Sequence, residues 1–256
     1  MLLINVAIFV VLVRLGKSLI PLKSGFLVPA SSDFAMASAL LALACCPSLL
    51  PLVVVISAVL LLLVVKKEEI SIIYLKVIAY TISLLSLSFV SYSYYEMVQS
   101  FVTGFIAPTP ELVEMLAISL VLFALYVLFY DNVKYSIFDP EYCEVRGLKP
   151  SLWIGLTFLL AIMTGTTLTF SHGFLLAHVV SLGALLLGYS AQTIKEEIML
   201  TFVFTLASAT LSLFLPLSYS VSVMTIALLL LWKAIGKKVP KLRKTSLHSS
   251  RPLSSM

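Results

Sequence analysis

Apolar residues along this chain fall into nine long stretches, separated mostly by short polar or proline-containing connections. A membrane hydrocarbon core of roughly 30 Å is crossed by about 20 helical residues, and most of the stretches approach that length. The pattern therefore predicts an all-α polytopic membrane bundle of about eight to nine transmembrane helices. The predicted spans cover residues 1–20, 26–46, 49–65, 72–94, 111–130, 151–170, 173–191, 196–215 and 219–235.

Lysine and arginine residues fall almost entirely in alternate connections between the predicted spans. Because positive residues concentrate in cytoplasmic connections, this asymmetry predicts a cell-membrane protein with its N-terminus outside and its C-terminus cytoplasmic. Lys76 lies inside the fourth predicted span, and we expect its long stem to snorkel back to the cytoplasmic boundary. The connections without Lys or Arg are those at about 47–48, 95–110, 171–172 and 216–218.

Composition agrees with a membrane protein, with a mean hydropathy of +1.10 and only 11% charged residues. The net charge of +5 is not a nucleic-acid signal, because seven of the 17 basic residues follow position 232, beside the last predicted span. There they act as a topology anchor or contact anionic lipid head groups. We therefore expect membrane lipid and no nucleic acid as a partner. Residues 1–236 are predicted to form the transmembrane domain, and residues 237–256, which are basic and Ser-rich, a disordered cytoplasmic tail.

Catalytic sequence motifs are not found in this chain. The sequence contains no P-loop, nucleophile elbow, HExxH helix or glycine-rich dinucleotide turn. Its three cysteines, Cys45, Cys46 and Cys143, lack the spacing of a disulfide framework or a zinc site. The sequence thus predicts a protein that is not an enzyme and that binds no cofactor itself.

Two of the connections are longer than the rest. The outer one, residues 95–110, has an apolar middle too short to span, which predicts a re-entrant or interface-lying helix. The cytoplasmic one, residues 131–150, contains a short predicted helix: Asp139 fits its N-cap and Pro140 its first position, and Gly147 can end it. The charged side chains that such a helix would display are those of Glu141, Glu144 and Arg146. It is either an ordinary loop helix or one that passes force to a soluble partner.

The stretch DPEYCEVRGL (residues 139–148) resembles the D-P-E-x-A-x-x-x-G loop of the metal-type ABC permeases, the membrane subunits of zinc and manganese importers. The Asp, Pro, Glu and Gly of that pattern match, and Cys143 takes the place of its alanine. Further segments that are similar to their family counterparts are residues 66–80, 101–112 and 173–191. The resemblance extends over about residues 26–236.

This resemblance implies a type II importer-like permease fold, in which the 139–148 helix couples the membrane subunit to an ATP-binding cassette subunit. It also implies that ATP is bound on that partner chain, that two copies of the permease form a homodimer around the pathway, and that an extracytoplasmic solute-binding protein delivers the cargo. The residues to which it assigns ATPase coupling are Asp139, Pro140, Glu141, Glu144, Arg146 and Gly147.

Asp33, inside the second predicted span, is the leading candidate for a pathway residue and metal ligand. A carboxylate among apolar helices is costly, so its default interpretation is functional. The family places a His one helical turn after this Asp, but Ala37 stands there. Met36 could add a soft thioether ligand, and His178 could supply the missing imidazole from a different helix. Helix packing remains the alternative role for each of these three residues.

Two other functions stay open. The chain could be a non-transporting or scaffold membrane subunit descended from the same fold, which the loss of the family His favours. It could also be the transmembrane subunit of a vitamin importer, which EVRGL at residues 144–148 faintly resembles.

Overall fold

The computed structural model of the chain describes residues 2–45, 56, 59, 69–96, 98–99 and 110–236. Every element assigned a range in these residues is helical, which confirms the predicted all-α class. In chain order, the α-helices are α1 (Leu2–Leu19), α2 (Leu27–Cys45), α3 (Glu69–Leu87), α4 (Pro110–Leu128), α5 (Tyr130–Phe138), α6 (Pro140–Val145), α7 (Pro150–His172), α8 (Phe174–Ser190), α9 (Ile194–Leu211) and α10 (Leu217–Gly236).

Helices α1, α2, α7 and α8 form the centre of the bundle. Helix α1 packs against α7, α8 and α9, while α2 packs against α3, α7 and α8. Helix α10 covers α8 and α9, and α4 lies on α7. The main apolar core runs through these contacts and includes the fully buried side chains of Phe9, Leu12, Leu160 and Phe204.

The lengths and composition of the helices fit a membrane-embedded bundle. Helices α2 and α7 are each long and apolar enough to cross a membrane alone. The pair Leu116–Leu128 and Tyr130–Phe138 makes a third crossing if it is counted as one bent span. Shorter apolar helices within the described residues are Lys76–Leu87, Phe174–Ser190 and Tyr219–Ala234. A total of about eight to nine crossings stays a prediction, and the third predicted span, 49–65, falls almost wholly outside the described residues.

The predicted fourth span, 72–94, is wrong at its C-terminal end. Helix α3 stops at Leu87 and is followed by a short 3-10 helix, Tyr92–Tyr94. The backbone there switches to i→i−3 hydrogen bonds, as in the 3.1 Å bond from the Ser88 amide to the Leu85 carbonyl. Such tightening is a common way to end an α-helix, and hydropathy does not register it. Most of the outer 95–110 segment lies outside the described residues.

The predicted 131–150 loop is also wrong, because it contains two helices and not one. The chain bends by 74° after Leu128 and continues as α5 before α6 begins. Helix α5 packs on α7 and buries only Val133 and Ser136 over its whole length. Its polar residues therefore dominate the sequence pattern, so the segment resembled a loop.

The tight contact between α1 and α8 depends on glycine. A Cβ atom added at Gly188 would lie 1.7 Å from the Val13 carbonyl oxygen, and one added at Gly16 would lie 2.2 Å from the Leu185 carbonyl oxygen. Within a membrane the hydrophobic effect does not drive helices together. Small residues instead let helices approach closely, so that van der Waals packing of their backbones stabilises the contact.

Replacing Gly188 by Ala should lower the thermal stability of the detergent-solubilised protein, with a cost of about 1–3 kcal/mol from overpacking. The matched control is Gly155→Ala, where the added methyl group meets no atom within 4 Å. That control should be neutral or should stabilise by up to about 1 kcal/mol through helix propensity. Equal melting temperatures for the two variants would contradict the close contact.

Candidate functional site

The position of Asp33 is set by the contact between α2 and α7. The Ser32 hydroxyl donates a 3.0 Å hydrogen bond to the Gly165 carbonyl, and the Thr169 hydroxyl donates a 3.4 Å bond to the Ser32 carbonyl. Gly165 permits this approach, since a Cβ there would lie 1.9 Å from the Ser31 hydroxyl oxygen. The Asp33 side chain is consequently only 1% exposed.

Three helices bring charged or polar groups to this carboxylate. Nε2 of His178, on α8, lies 3.0 Å from Oδ1 of Asp33. Nζ of Lys76, on α3, lies 3.3 Å from Oδ2. Within the described residues, neither carboxylate oxygen has a partner in hydrogen-bond geometry, so the contact between Asp33 and Lys76 is an ion pair. We call Asp33, Lys76 and His178 the central triad.

The orientation of the His178 ring is set by a backbone carbonyl of its own helix. Nδ1 of His178 lies 3.1 Å from the Phe174 carbonyl oxygen, which can only accept a hydrogen bond. Nδ1 is therefore the protonated nitrogen, and Nε2 faces Asp33 either as a second N–H group or as a lone pair. A lone pair beside an ionised carboxylate is repulsive unless a proton or a metal cation lies between them. A backbone carbonyl that fixes one ring nitrogen is also typical of metal-ligating histidines.

An aromatic row closes one side of the central triad. The rings of Tyr80 and Phe174 meet edge to face with centroids 5.9 Å apart, and those of Phe174 and His178 do so at 5.0 Å. Tyr80 lies one helical turn after Lys76 and also interacts electrostatically with Asp33. The triad is thus walled by aromatic rings on one side and by the α2–α7 contact on another.

The predicted pairing of Asp33 with His178 from a different helix is confirmed as a contact, while a role for it in transport is not tested by geometry. The expectation that Lys76 snorkels to the boundary is wrong, because its ammonium group lies against Asp33. The sequence does contain a basis for predicting this contact. A lysine inside a membrane span is energetically costly, so pairing with an acidic residue of another span is expected.

Met36 lies one helical turn after Asp33 but packs among apolar side chains. It is part of a small apolar cluster with Ala39, Leu40, Leu43 and Val98. This placement favours packing, and soft ligation by Met36 stays a prediction. The described residues contain no group of three or more His, Cys, Asp or Glu side chains that could hold a metal ion.

A second charged cluster, which sequence reasoning missed, joins α1 to α9 and to the α4–α5 bend. The Arg14 guanidinium contacts both carboxylate oxygens of Glu197 at 2.7 and 3.0 Å, and the Lys17 ammonium group contacts Glu197 as well. The same guanidinium lies 4.1 Å from the centre of the Tyr130 ring, at the start of α5. We call Arg14, Lys17, Glu197 and Tyr130 the basal cluster. It connects the α4–α5 bend to helices α1 and α9 of the bundle.

Helix α6 has the capping that the sequence predicted. The Asp139 carboxylate accepts a 3.1 Å hydrogen bond from the Tyr142 amide, and Pro140 occupies the first turn. Gly147 adopts a φ of 73°, the left-handed conformation that ends helices. The helix itself covers Pro140–Val145, a shorter range than the predicted 139–148.

One face of α6 is fixed and the other is free. Cys143 is buried, with its sulfur 3.2 Å from the Ser136 hydroxyl of α5. The opposite face exposes the carboxylates of Glu141 and Glu144, and Val145 is 87% exposed. The Arg146 guanidinium lies 5.4 Å from the centre of the half-exposed Tyr142 ring. This face combines charged and apolar groups, as the surface of a protein-docking helix does.

Comparison with known proteins gives a structural match without a sequence match. No protein-family model matches the chain, and no curated protein matches it. Among solved structures, the chain is similar to PsaBC from Streptococcus pneumoniae in complex with Fab, with a TM-score of 0.67 and 15% sequence identity. The match covers 90% of this chain and 88% of the PsaBC chain. The chain therefore shares the overall fold of this PsaBC chain.

Removing single charges from the central triad should show which member depends most on the others. Lys76→Met leaves the fully buried Asp33 without its lysine partner, so the free energy of unfolding should fall, by up to about 3–5 kcal/mol. Asp33→Asn should be milder, because Lys76 can reach water along its stem. The measurement is unfolding of the purified protein in detergent by heat or denaturant.

The double variant Asp33→Asn/Lys76→Met serves as the control for that pair. Because both charges are then absent, its stability should lie close to that of the unaltered chain. Strictly additive losses in the double variant would mean that the two side chains do not interact.

Proposed function

We propose that this chain is the membrane permease subunit of an ATP-driven importer, and that its cargo is a divalent metal cation such as zinc or manganese. The observation that carries the proposal is the capped, charged α6, held rigidly on a bundle with a permease fold. The sequence contains no ATP-binding motif, so ATP would be bound and hydrolysed by a separate ATP-binding cassette subunit.

The free face of α6 is where the ATPase would dock. Asp139, Pro140 and Gly147 set the ends of this helix, while Glu141, Glu144 and Arg146 supply its charges. Two copies of the chain would form a homodimer around the pathway and present two such helices. Closure of the ATPase subunits on ATP would then draw the two helices together and switch the access of the pathway.

The basal cluster gives this movement a route into the membrane. Helix α6 packs on α5, and α5 begins at Tyr130 beneath the Arg14 guanidinium. Arg14 in turn contacts Glu197 in the first turn of α9. A displacement of α6 would therefore be transmitted to α1 and α9 through the basal cluster. Helix α1 in turn packs directly on α8, which bears His178.

The cargo proposal rests on Asp33 and His178. Carboxylate and imidazole are ligands that divalent manganese and zinc accept. A cation about 2.0–2.2 Å from each ligand atom fits atoms that are 3.0 Å apart. An extracytoplasmic solute-binding protein would deliver the cation to the outer side.

The proposed topology places α6 in the cytoplasm, with the N-terminus outside and the C-terminal tail of residues 237–256 inside. Arg14 supports it, because its contact with Tyr130 puts the end of α1 and the start of α5 at the same end of the bundle. Those segments carry the basic residues that the positive-inside bias assigns to the cytoplasm.

A second candidate is a non-transporting or scaffold subunit with the same fold. The observation that favours it is Lys76, whose ammonium group meets Asp33 within the chain and makes the centre neutral without any cargo. ATP-driven uptake of a cation by a complex of this chain with an ATPase would favour the importer, and its absence would favour the non-transporting subunit.

Glu141→Arg should abolish co-purification with the candidate ATPase while leaving the permease inserted in the membrane. Glu141 is exposed in the first turn of α6, so a reversed charge repels a complementary partner surface without disturbing the bundle. The measurement is pull-down of the ATPase with the membrane-extracted full chain.

The matched control is Asp131→Arg, which makes the same charge change at an exposed position of α5 outside the proposed docking face. It should retain the complex. Retention by Glu141→Arg as well would remove α6 from the mechanism.

Arg14→Lys should separate docking from transport. Lysine keeps the charge opposite Glu197 but loses the planar contact with the Tyr130 ring. The complex with the ATPase should form normally, while ATP-driven Mn²⁺ uptake into proteoliposomes falls by about tenfold, as loss of one cation–π contact implies. Lys17→Arg is the control and should transport normally, and unchanged uptake in Arg14→Lys would contradict the proposed route.

A further inference from the structure

Lys76 is a charged residue within an apolar helix, and the importer mechanism proposed above assigns it no role. It is on α3, near the middle of an apolar helix, and its ammonium nitrogen lies 3.3 Å from Oδ2 of Asp33. A cation that binds at Asp33 would be repelled by this neighbouring positive charge.

The three side chains of the central triad differ in their exposure. Asp33 is 1% exposed, whereas Lys76 and His178 are each 21% exposed. The carboxylate is thus enclosed beside the α2–α7 contact, and the lysine reaches it from a more exposed position. Lysine has a flexible four-carbon stem, so its ammonium group can leave Asp33 and enter water without a backbone movement.

The two oxygens of Asp33 face different partners. Oδ2 is occupied by the Lys76 ammonium group, while Oδ1 and the Nε2 atom of His178 form the pair that can accept a cation. A divalent cation at that pair would lie within a few ångströms of the ammonium group, where like charges repel strongly in a poorly solvated site. The cation and the ammonium group therefore compete for one carboxylate.

We propose that Lys76 is a tethered counter-ion, which occupies Asp33 when cargo is absent and is displaced when a divalent cation binds. This inference rests on the proposed cation cargo. The exchange keeps the buried carboxylate compensated at every stage, so the empty pathway never holds an unpaired charge. It also weakens cation binding, and a transport site has to release what it binds.

The first test is equilibrium binding of Mn²⁺ to the purified full chain in lipid nanodiscs, with bound metal quantified by mass spectrometry. Lys76→Met should bind Mn²⁺ at least about tenfold more tightly than the unaltered chain, because the competing charge is gone. Lys76→Arg keeps a positive charge and should bind no more tightly. Asp33→Asn/Lys76→Met removes the carboxylate and should lose the site.

The second test needs no variant, which matters because Lys76→Met can also destabilise the protein. The rate at which an amine-reactive reagent modifies Lys76 is followed by peptide mass spectrometry, with and without Mn²⁺. Displacement of the ammonium group into water should raise this rate several-fold in the unaltered chain. Lys134, which is exposed on α5, is the internal reference and should not respond.

The outcomes distinguish this inference from the function on which it rests. Tighter binding by Lys76→Met together with Mn²⁺-dependent modification supports the counter-ion role. Equal binding by both proteins, with no change in modification, overturns the counter-ion role and leaves the cation cargo intact. Absence of Mn²⁺ binding in both proteins overturns the cation cargo and this inference with it, whereas the ATPase complex is tested separately by Glu141→Arg.

Discussion

A buried carboxylate in an apolar helical bundle must be met by positive charge, and this constraint organises the centre of the protein. Asp33 is held in place by the close contact of α2 with α7, where Gly165 lets the two backbones approach. Helices α3 and α8 place Lys76 and His178 against this carboxylate. The contacts of Asp33 therefore help to fix the relative positions of four helices. A conformational change that separates them would leave a buried carboxylate without its partners, which is energetically costly.

Opposite charges also meet in the basal cluster. Glu197 lies in the first turn of α9 and contacts Arg14 and Lys17 of α1. This carboxylate is 10% exposed and Asp33 only 1%, and the Arg14 guanidinium also stacks on Tyr130 at the bend before α5. The two clusters lie on a packed path, since α1 contacts both α9 and α8. The coupling that we propose between α6 and the central triad would use only the contacts that already hold the fold.

Local features were predictable from the sequence where a single segment contains the cause. The N-cap at Asp139 and the left-handed Gly147 depend on residues within one turn, and both have the predicted geometry. The end of α3 and the extra helix α5 were not predictable in this way. Helix α5 is short and buries only two side chains, so its stability comes from packing on α7 rather than from its own periodicity.

Hydropathy and capping residues by themselves determined that this is an all-α membrane protein with a short capped helix within residues 139–148, because both depend on neighbours in the chain. They also singled out Asp33 and His178, since polar groups in apolar helices are costly. Only the tertiary structure decided that Lys76 turns inward to Asp33 and that Arg14 joins Glu197 to Tyr130. Those contacts link residues far apart in sequence. Which acid meets which base is set by the order and rotation of packed helices, and the pattern along one chain does not contain that information.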